Sequence, residues 1–425
     1  MLRKYNDLSL NRTIRVNSLL TAIWWIVFSP GFYSGDSFAV IEMAKSGKIT
    51  SEWTYIWAAL TNFLSLNGQF PEIATLVYSQ VFAFAVTVYS FAVFGSKGAG
   101  ISSIVLCTTP LIGAMGVTLW HDIPMTTGFL LVIVGTLKVI RGEKWGIAYS
   151  IAGMLFSSFR YNGIPTILLF LIFLVLSSRQ TRNLFFLLVI CVLVLAGTTF
   201  TNTNSQSITN VQYEGFFDWM QYDLACYAAE HNDKKFFSEY FNDANDINAW
   251  KSSSACVWFN DSQVKNQQIP VDKSELIAAW KQVFFSKPFY IINLHMKRHH
   301  YLLPIPIYGL QRVPFIHTNI EFSEGGISPK FPDLYESLRI FPRVWNFFSF
   351  IFAQAGFWMM MSLLTNRYRK EKVWNQPSVL SFILILSLFV FAPIPDARFA
   401  LFVLISGQLG FLHALFSSAI KRQIS

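Results

Sequence analysis

The chain has 425 residues, of which 53% are hydrophobic, 17% aromatic and only 13% charged, with a formal net charge of +9. That balance excludes an ordinary water-soluble protein and points to a polytopic membrane protein. Membrane topology and anionic lipid account for the positive charge, so nucleic acid is not expected as a partner.

A spanning helix needs about 20 mostly apolar residues. The chain offers candidates over 17–33, 73–94, 100–119, 123–140, 145–160, 163–178, 184–200, 343–364, 378–393 and 397–417, about ten spans in an all-α protein. Arg3, Lys4, Arg12 and Arg15 precede the first, and Lys97, Arg141, Lys144, Arg179, Arg182, Arg367, Arg369, Lys370, Lys372, Lys421 and Arg422 fall in alternate short loops or at the C-terminus. The positive-inside bias then puts both termini in the cytoplasm. The basic start and the Ser29-Pro30-Gly31 end of the first span also outline a signal peptide, but Trp24, Trp25 and Phe28 are bulky and no small-x-small cleavage site stands out.

Residues 34–72 follow on the outer side. Ile41, Ala44, Trp53, Ile56, Trp57, Leu60 and Phe63 recur at near-helical spacing, which predicts one or two short interfacial helices. Within Ser34-Gly35-Asp36-Ser37, the glycine permits a sharp turn and the carboxylate sits at the water–lipid boundary. Asp36 is placed to take a proton from an acceptor hydroxyl, or to cap the helix that follows. Asp122, in Trp120-His121-Asp122-Ile123-Pro124, occupies the outer turn between two spans and has the same two readings; His121 reads as a locally bonded turn residue.

Arg160, in Phe159-Arg160-Tyr161-Asn162-Gly163, and Arg398, in Pro395-Asp396-Ala397-Arg398-Phe399, put positive charge at outer span ends, against the usual bias. A guanidinium there suits a phosphate, which it grips in a bidentate way. Internal pairs, Asp396 with Arg398 or Arg160 with Asp122, are the alternative.

Residues 201–342 form an external region of mixed structure, broken by prolines towards its end. They separate an N-terminal membrane module (1–200, with its outer loop 34–72) from a C-terminal one (343–425). Cys226 and Cys256 are the external cysteine pair and either close a disulfide or remain two free thiols. A helix is expected over 274–300, ending in Lys297-Arg298-His299-His300, a run that grips a lipid phosphate or simply faces headgroups. His295 and His299 are four residues apart, but with no third ligand apparent a structural zinc is rejected. Trp53, Trp57, Trp219, Trp250 and Trp258 suit sugar stacking and membrane anchoring equally.

Together these residues carry a resemblance. Gly35-Asp36-Ser37, Trp120-His121-Asp122-Ile123-Pro124, Arg160-Tyr161-Asn162-Gly163 and Asp396-Ala397-Arg398-Phe399, with a large external segment, resemble bacterial membrane glycosyltransferases of the C-type fold (GT-C). Within that class, the size and span plan are similar to the phage-borne type-specific glucosyltransferases that modify bacterial O-antigen. The resemblance implies an inner-membrane enzyme with a periplasmic active site, a polyprenyl-phosphate sugar donor and a lipid-linked glycan acceptor. Asp36 would then be general base, and Asp122 would orient the acceptor or help hold a divalent ion. Arg160, Arg398, Arg298 and Lys297 would bind the donor phosphate, with Asn162 and Asp396 in support. Many members carry adjacent acids in the first loop, whereas Asp36 stands alone, so the resemblance leaves metal dependence open. An O-antigen polymerase or ligase would rest on arginines in outer loops; a transporter would need polar residues near mid-bilayer along both halves or an internal repeat, and neither is found, the span interiors being almost free of charge.

Overall fold

The computed structural model describes residues 2–46, 54–95, 97–177, 181–209, 218–239, 272–303, 329–365, 376–391 and 397–424. Within them the chain is all-helical, and its one β contact is an isolated parallel bridge between Phe32 and Thr118.

The first half runs α1 (Leu2–Val27), α2 (Gly35–Ser46), α3 (Tyr55–Leu64), α4 (Pro71–Phe94), α5 (Lys97–Cys107), α6 (Gly113–Gly116), α7 (Asp122–Ile140), α8 (Gly146–Ser157), α9 (Gly163–Ser177) and α10 (Thr181–Thr209). Next come α11 (Asp218–His231), α12 (Lys234–Ser238), α13 (Lys273–Ser286), α14 (Pro288–Arg298) and a 3-10 turn His300–Leu302. The chain closes with α15 (Pro332–Leu338), α16 (Ile340–Phe347), α17 (Ser349–Phe352), α18 (Ala355–Leu364), α19 (Gln376–Phe391), a 3-10 turn Ala397–Ala400 and α20 (Leu401–Ile424). Four helical stretches, Pro71–Phe94, Asp122–Ile140, Arg182–Thr201 and Arg398–Phe416, are long and apolar enough to cross a membrane, and several shorter apolar helices pack with them.

The tightest contact in the bundle joins α7 to α8, and it sets the geometry of the site. Gly128 and Gly135 on α7 face Gly146, Ser150, Gly153 and Ser157 on α8. A Cβ on Gly128 would lie 2.5 Å from the Gly153 carbonyl oxygen, and one on Gly135 2.5 Å from the Ser150 nitrogen. Small residues on both faces let the two backbones touch, the usual solution where lipid supplies no hydrophobic drive between helices. Because the helices are antiparallel neighbours, the start of α7 meets the end of α8, which brings Asp122 beside Arg160.

Uncharged polar side chains tie other helices together. Asn17 donates to Thr87 at 2.8 Å and to Ser103 at 3.2 Å, joining α1 to α4 and α5. Tyr89, Ser406, Ser362 and Ser378 form a chain of hydroxyls at 2.7, 3.4 and 3.1 Å linking α4, α20, α18 and α19. Each bond satisfies a polar group that apolar surroundings would otherwise leave unpaired.

Several expected elements differ. The span expected over 100–119 breaks after Cys107, because Pro110 supplies no N–H to a continuing helix; the hydroxyls of Thr108 and Thr109 turn back onto the carbonyls of Val105 and Leu106. The span expected over 343–364 is instead α16, α17 and α18, and the carbonyls freed near the break accept from Trp358 Nε1 at 3.0 Å and Gln408 Nε2 at 3.3 Å. The helix expected over 274–300 is two helices, since Pro288 opens α14 at a position where α13 cannot continue. The described part of the external region contains helices rather than mixed structure. Residues 34–72 do supply two short helices, α2 and α3. Their Ile41, Ala44 and Trp57 are buried in the protein, whereas Phe63 is 73% exposed.

Candidate functional site

Two chain segments far apart in sequence are stitched together at the end of α1. The Phe32 N–H donates to the Val117 carbonyl at 3.1 Å and the Leu119 N–H to the Phe32 carbonyl at 3.0 Å. Side chains extend the seam: Ser37 Oγ accepts from the Ser34 N–H at 3.0 Å and donates to the Leu119 carbonyl at 2.8 Å, and Trp120 Nε1 donates to Ser34 Oγ at 2.6 Å. Gly31, at φ +126°, makes the approach to residue 117, where a Cβ would lie 2.6 Å from the Val117 oxygen. The seam fixes Asp36, in the first turn of α2, relative to Asp122, the first residue of α7.

Arg398 meets both carboxylates, and Arg160 meets Asp122. Arg398 Nη1 lies 2.8 Å from Asp36 Oδ2, and its Nε is 3.7 Å from Asp122 Oδ2. Arg160 Nη1 pairs with Asp122 Oδ1. The Phe399 ring sits between the guanidiniums, 3.9 Å from that of Arg160 and 5.2 Å from that of Arg398; the Trp120 ring lies 4.8 Å from Arg398. Cation–π contact of this kind holds a guanidinium through its face and leaves its in-plane N–H groups directed at anions.

The four charges differ in access. The Asp122 side chain is fully buried and that of Asp36 is 28% exposed. His121, in the turn before α7, is held well below its ordinary value by burial and then by Arg160 and Arg398, so it is neutral at pH 7. The cluster therefore sums to zero, with two carboxylates against two guanidiniums. It is the alternative reading of Arg160, an internal pair with Asp122, that the geometry displays. Asp122 is closed off from solvent and contacts both arginines.

The other expected phosphate ligands lie elsewhere. Arg298 is buried, with Nη1 2.9 Å from Asp223 Oδ1, while Asp223 Oδ2 lies 2.8 Å from His295 Nε2 and 2.9 Å from Trp280 Nε1. Arg298 thus has a buried internal anion, and of Lys297-Arg298-His299-His300 only Lys297 is exposed. This corrects the expectation of a headgroup-facing basic run: α14 turns Arg298 inward onto α11. His295 Nδ1 lies 2.8 Å from the Phe389 carbonyl, which ties this cluster to the end of α19. The backbone oxygen of Asn162 accepts from the Thr166 N–H at 3.2 Å and from its hydroxyl at 2.7 Å, supporting the start of α9. Trp57 is buried against Tyr78, His121 and Phe159, and Trp219 against Trp280 and His295; both are core residues.

Cys226 is disulfide-bonded, whereas Cys107 and Cys191 are free and buried. The expected Cys226–Cys256 pairing involves a residue outside the described set, and Asp396, Trp53, Trp250 and Trp258 also lie outside it. Among the described residues, no group of three or more His, Cys, Asp or Glu side chains is placed to hold a metal ion. The supporting roles of Trp120, Phe399, Ser34 and Ser37, and the partnership of Asp223 with Arg298, are not evident from sequence; Trp120 and Phe399 are signalled there only by adjacency to charged residues.

No family model, curated protein or solved structure matches this chain. The helical class and the long apolar helices define it as compatible with a membrane protein; anything finer rests on the site.

Proposed function

We propose that the chain is a bacterial inner-membrane glycosyltransferase with a GT-C-like plan of about ten spans and both termini cytoplasmic. It moves a hexose, glucose by preference, from a polyprenyl-phosphate donor to a lipid-linked glycan such as O-antigen on the periplasmic face. The observation that carries this reading is the convergence of Asp36, Asp122, Arg160 and Arg398, drawn from four separate parts of the chain, at one end of the helical bundle.

In this reading Asp36 is the base, because it is the carboxylate with solvent access. The acceptor hydroxyl loses its proton to Asp36 as its oxygen attacks the anomeric carbon, and the bond from that carbon to the phosphate oxygen breaks. The leaving group is a phosphate that needs no proton at that moment, so the remaining demand is cationic stabilisation. Arg398 and Arg160 supply it. The donor phosphate must first draw Arg398 away from Asp36, and that exchange also frees the carboxylate for the acceptor.

The test is transfer from a radiolabelled polyprenyl-phosphate hexose to lipid-linked O-antigen in membranes holding equal amounts of wild type and Asp36→Asn. Labelled glycan from the wild type alone supports both the class and the base. Labelling by both removes Asp36 as base, and no labelling by the wild type with any of several donors overturns the class.

A further inference from the structure

We propose that Trp120 is the positioning residue of this site, setting Arg398 in place for an anionic phosphate ester; the proposal rests on the phosphate-handling reading above. Arg398 enters at the start of the final long apolar stretch, whereas its partners Asp36 and Asp122 belong to the first third of the chain. A long, flexible side chain spanning that junction needs a surface to define its plane. Trp120 gives one: its indole lies 4.8 Å from the guanidinium carbon, and the residue is 1% exposed.

The ring is itself fixed. Its Nε1 donates to Ser34 Oγ at 2.6 Å, and Ser34 lies two residues before Asp36 on the segment stitched to residues 117–119. One indole therefore relates the plane of Arg398 through its face to the position of Asp36 through its N–H. The other aromatic neighbour, Phe399, contacts Arg160 more closely, at 3.9 Å against 5.2 Å for Arg398. Loss of Trp120 is thus expected to act on Arg398 more than on Arg160.

Binding of citronellyl phosphate, a short prenyl phosphate, to the purified protein in detergent tests this without requiring turnover. Trp120→Leu, which removes the face, is expected to weaken binding about thirtyfold, the scale of a desolvated cation–π contact. Trp120→Phe keeps a face and loses the N–H, so a smaller loss is expected, matched by Ser34→Ala, which removes the acceptor instead. A merely structural role would lower the folded fraction and leave the affinity of the folded protein unchanged. Unchanged affinity in folded Trp120→Leu, or equal losses in Trp120→Leu and Trp120→Phe, overturns the positioning role while the phosphate reading stands. A wild type that binds no prenyl phosphate overturns that reading and the proposal together.

Discussion

Arg398 Nη1 and Asp36 Oδ2 lie 2.8 Å apart, so the group read as phosphate ligand and the group read as base hold each other. Each function requires the pair to open. Arg398 is buried and the Asp36 side chain is 28% exposed, so a competing anion reaches the pair from the Asp36 side.

Asp36→Asn is therefore expected to move binding and turnover in opposite directions. Without its carboxylate partner, Arg398 should hold prenyl phosphate more tightly, while loss of the base lowers kcat by about 100-fold or more. Phosphate affinity and initial rates measured on the same preparation decide it. Parallel losses in both would show that Asp36 supports folding rather than proton transfer.

Asp122 behaves differently because it is fully buried between two arginines. Asp122→Asn removes the buried carboxylate that pairs with Arg160 and leaves Arg398 with Asp36, and it is expected to cost about 3 kcal/mol, the lower end for breaking a buried pair. Arg160→Met alone should also destabilise, and the double variant should lose less than the sum of the two. Thermal unfolding in detergent gives all three values and their coupling.

The α7–α8 contact predicts a sharp contrast between glycines. Gly128→Val and Gly135→Val place carbon where backbone atoms already lie, with an expected cost of about 1–3 kcal/mol and loss of transfer as Asp122 and Arg160 separate. Gly197, on the exposed face of α10, has open space where a Cβ would lie, with nothing within 4 Å. Gly197→Ala should leave transfer intact and raise stability by a few tenths to about 1 kcal/mol. Melting temperature and activity across the three variants check the contrast.

His121 gives the site a pH dependence. Burial, followed by the fields of Arg160 and Arg398, depresses its proton affinity in the folded state. The unfolded chain takes up a proton near pH 6.5 and the folded chain does not, so the unfolded state binds more protons below that value. Stability should fall as pH drops from about 6.5, by up to about 1.4 kcal/mol per unit from this group. Melting temperatures between about pH 8 and about pH 5 should show the decline in wild type and a shallower one in His121→Asn.

Much of the site is legible in the sequence because charge at span ends is scarce. Asp36, Asp122, Arg160 and Arg398 stand out against apolar flanks, and alternating basic loops put all of them on one side. What sequence does not supply is pairing. Whether Arg160 faces a ligand or Asp122 depends on the α7–α8 contact, which comes from glycines whose meaning appears only when two helices are laid together. Arg298 misleads for a related reason. Its neighbours Lys297, His299 and His300 suggest a basic surface, but its buried partner Asp223 lies on another helix with no local signal linking the two. The broken helices near Pro110 and Pro288 are more readable, since a proline lacks the N–H that a continuing helix requires.

Asp223 carries the last prediction. It is fully buried and yet its carboxyl stays below the usual carboxylate value: burial pushes it up, but Arg298, His295 and the hydrogen bonds from His295 and Trp280 outweigh that. His295 Nδ1 and Nε2 each face an oxygen, the Phe389 carbonyl and Asp223 Oδ2. A carboxylate depressed in the folded state contributes stability above its unfolded value near 3.8 and loses it as pH falls through the lower folded value. Asp223→Asn should remove that acid dependence below about pH 4 and, by removing the buried carboxylate that pairs with Arg298, cost about 3–5 kcal/mol at neutral pH. Arg298→Met leaves the carboxylate to His295 and Trp280 and should destabilise as well. Because Arg298 is held internally, the Arg298→Met protein that does fold should keep the wild-type KM for the prenyl-phosphate donor. A raised KM in folded protein would return Arg298 to the donor site and make its pairing with Asp223 a resting state.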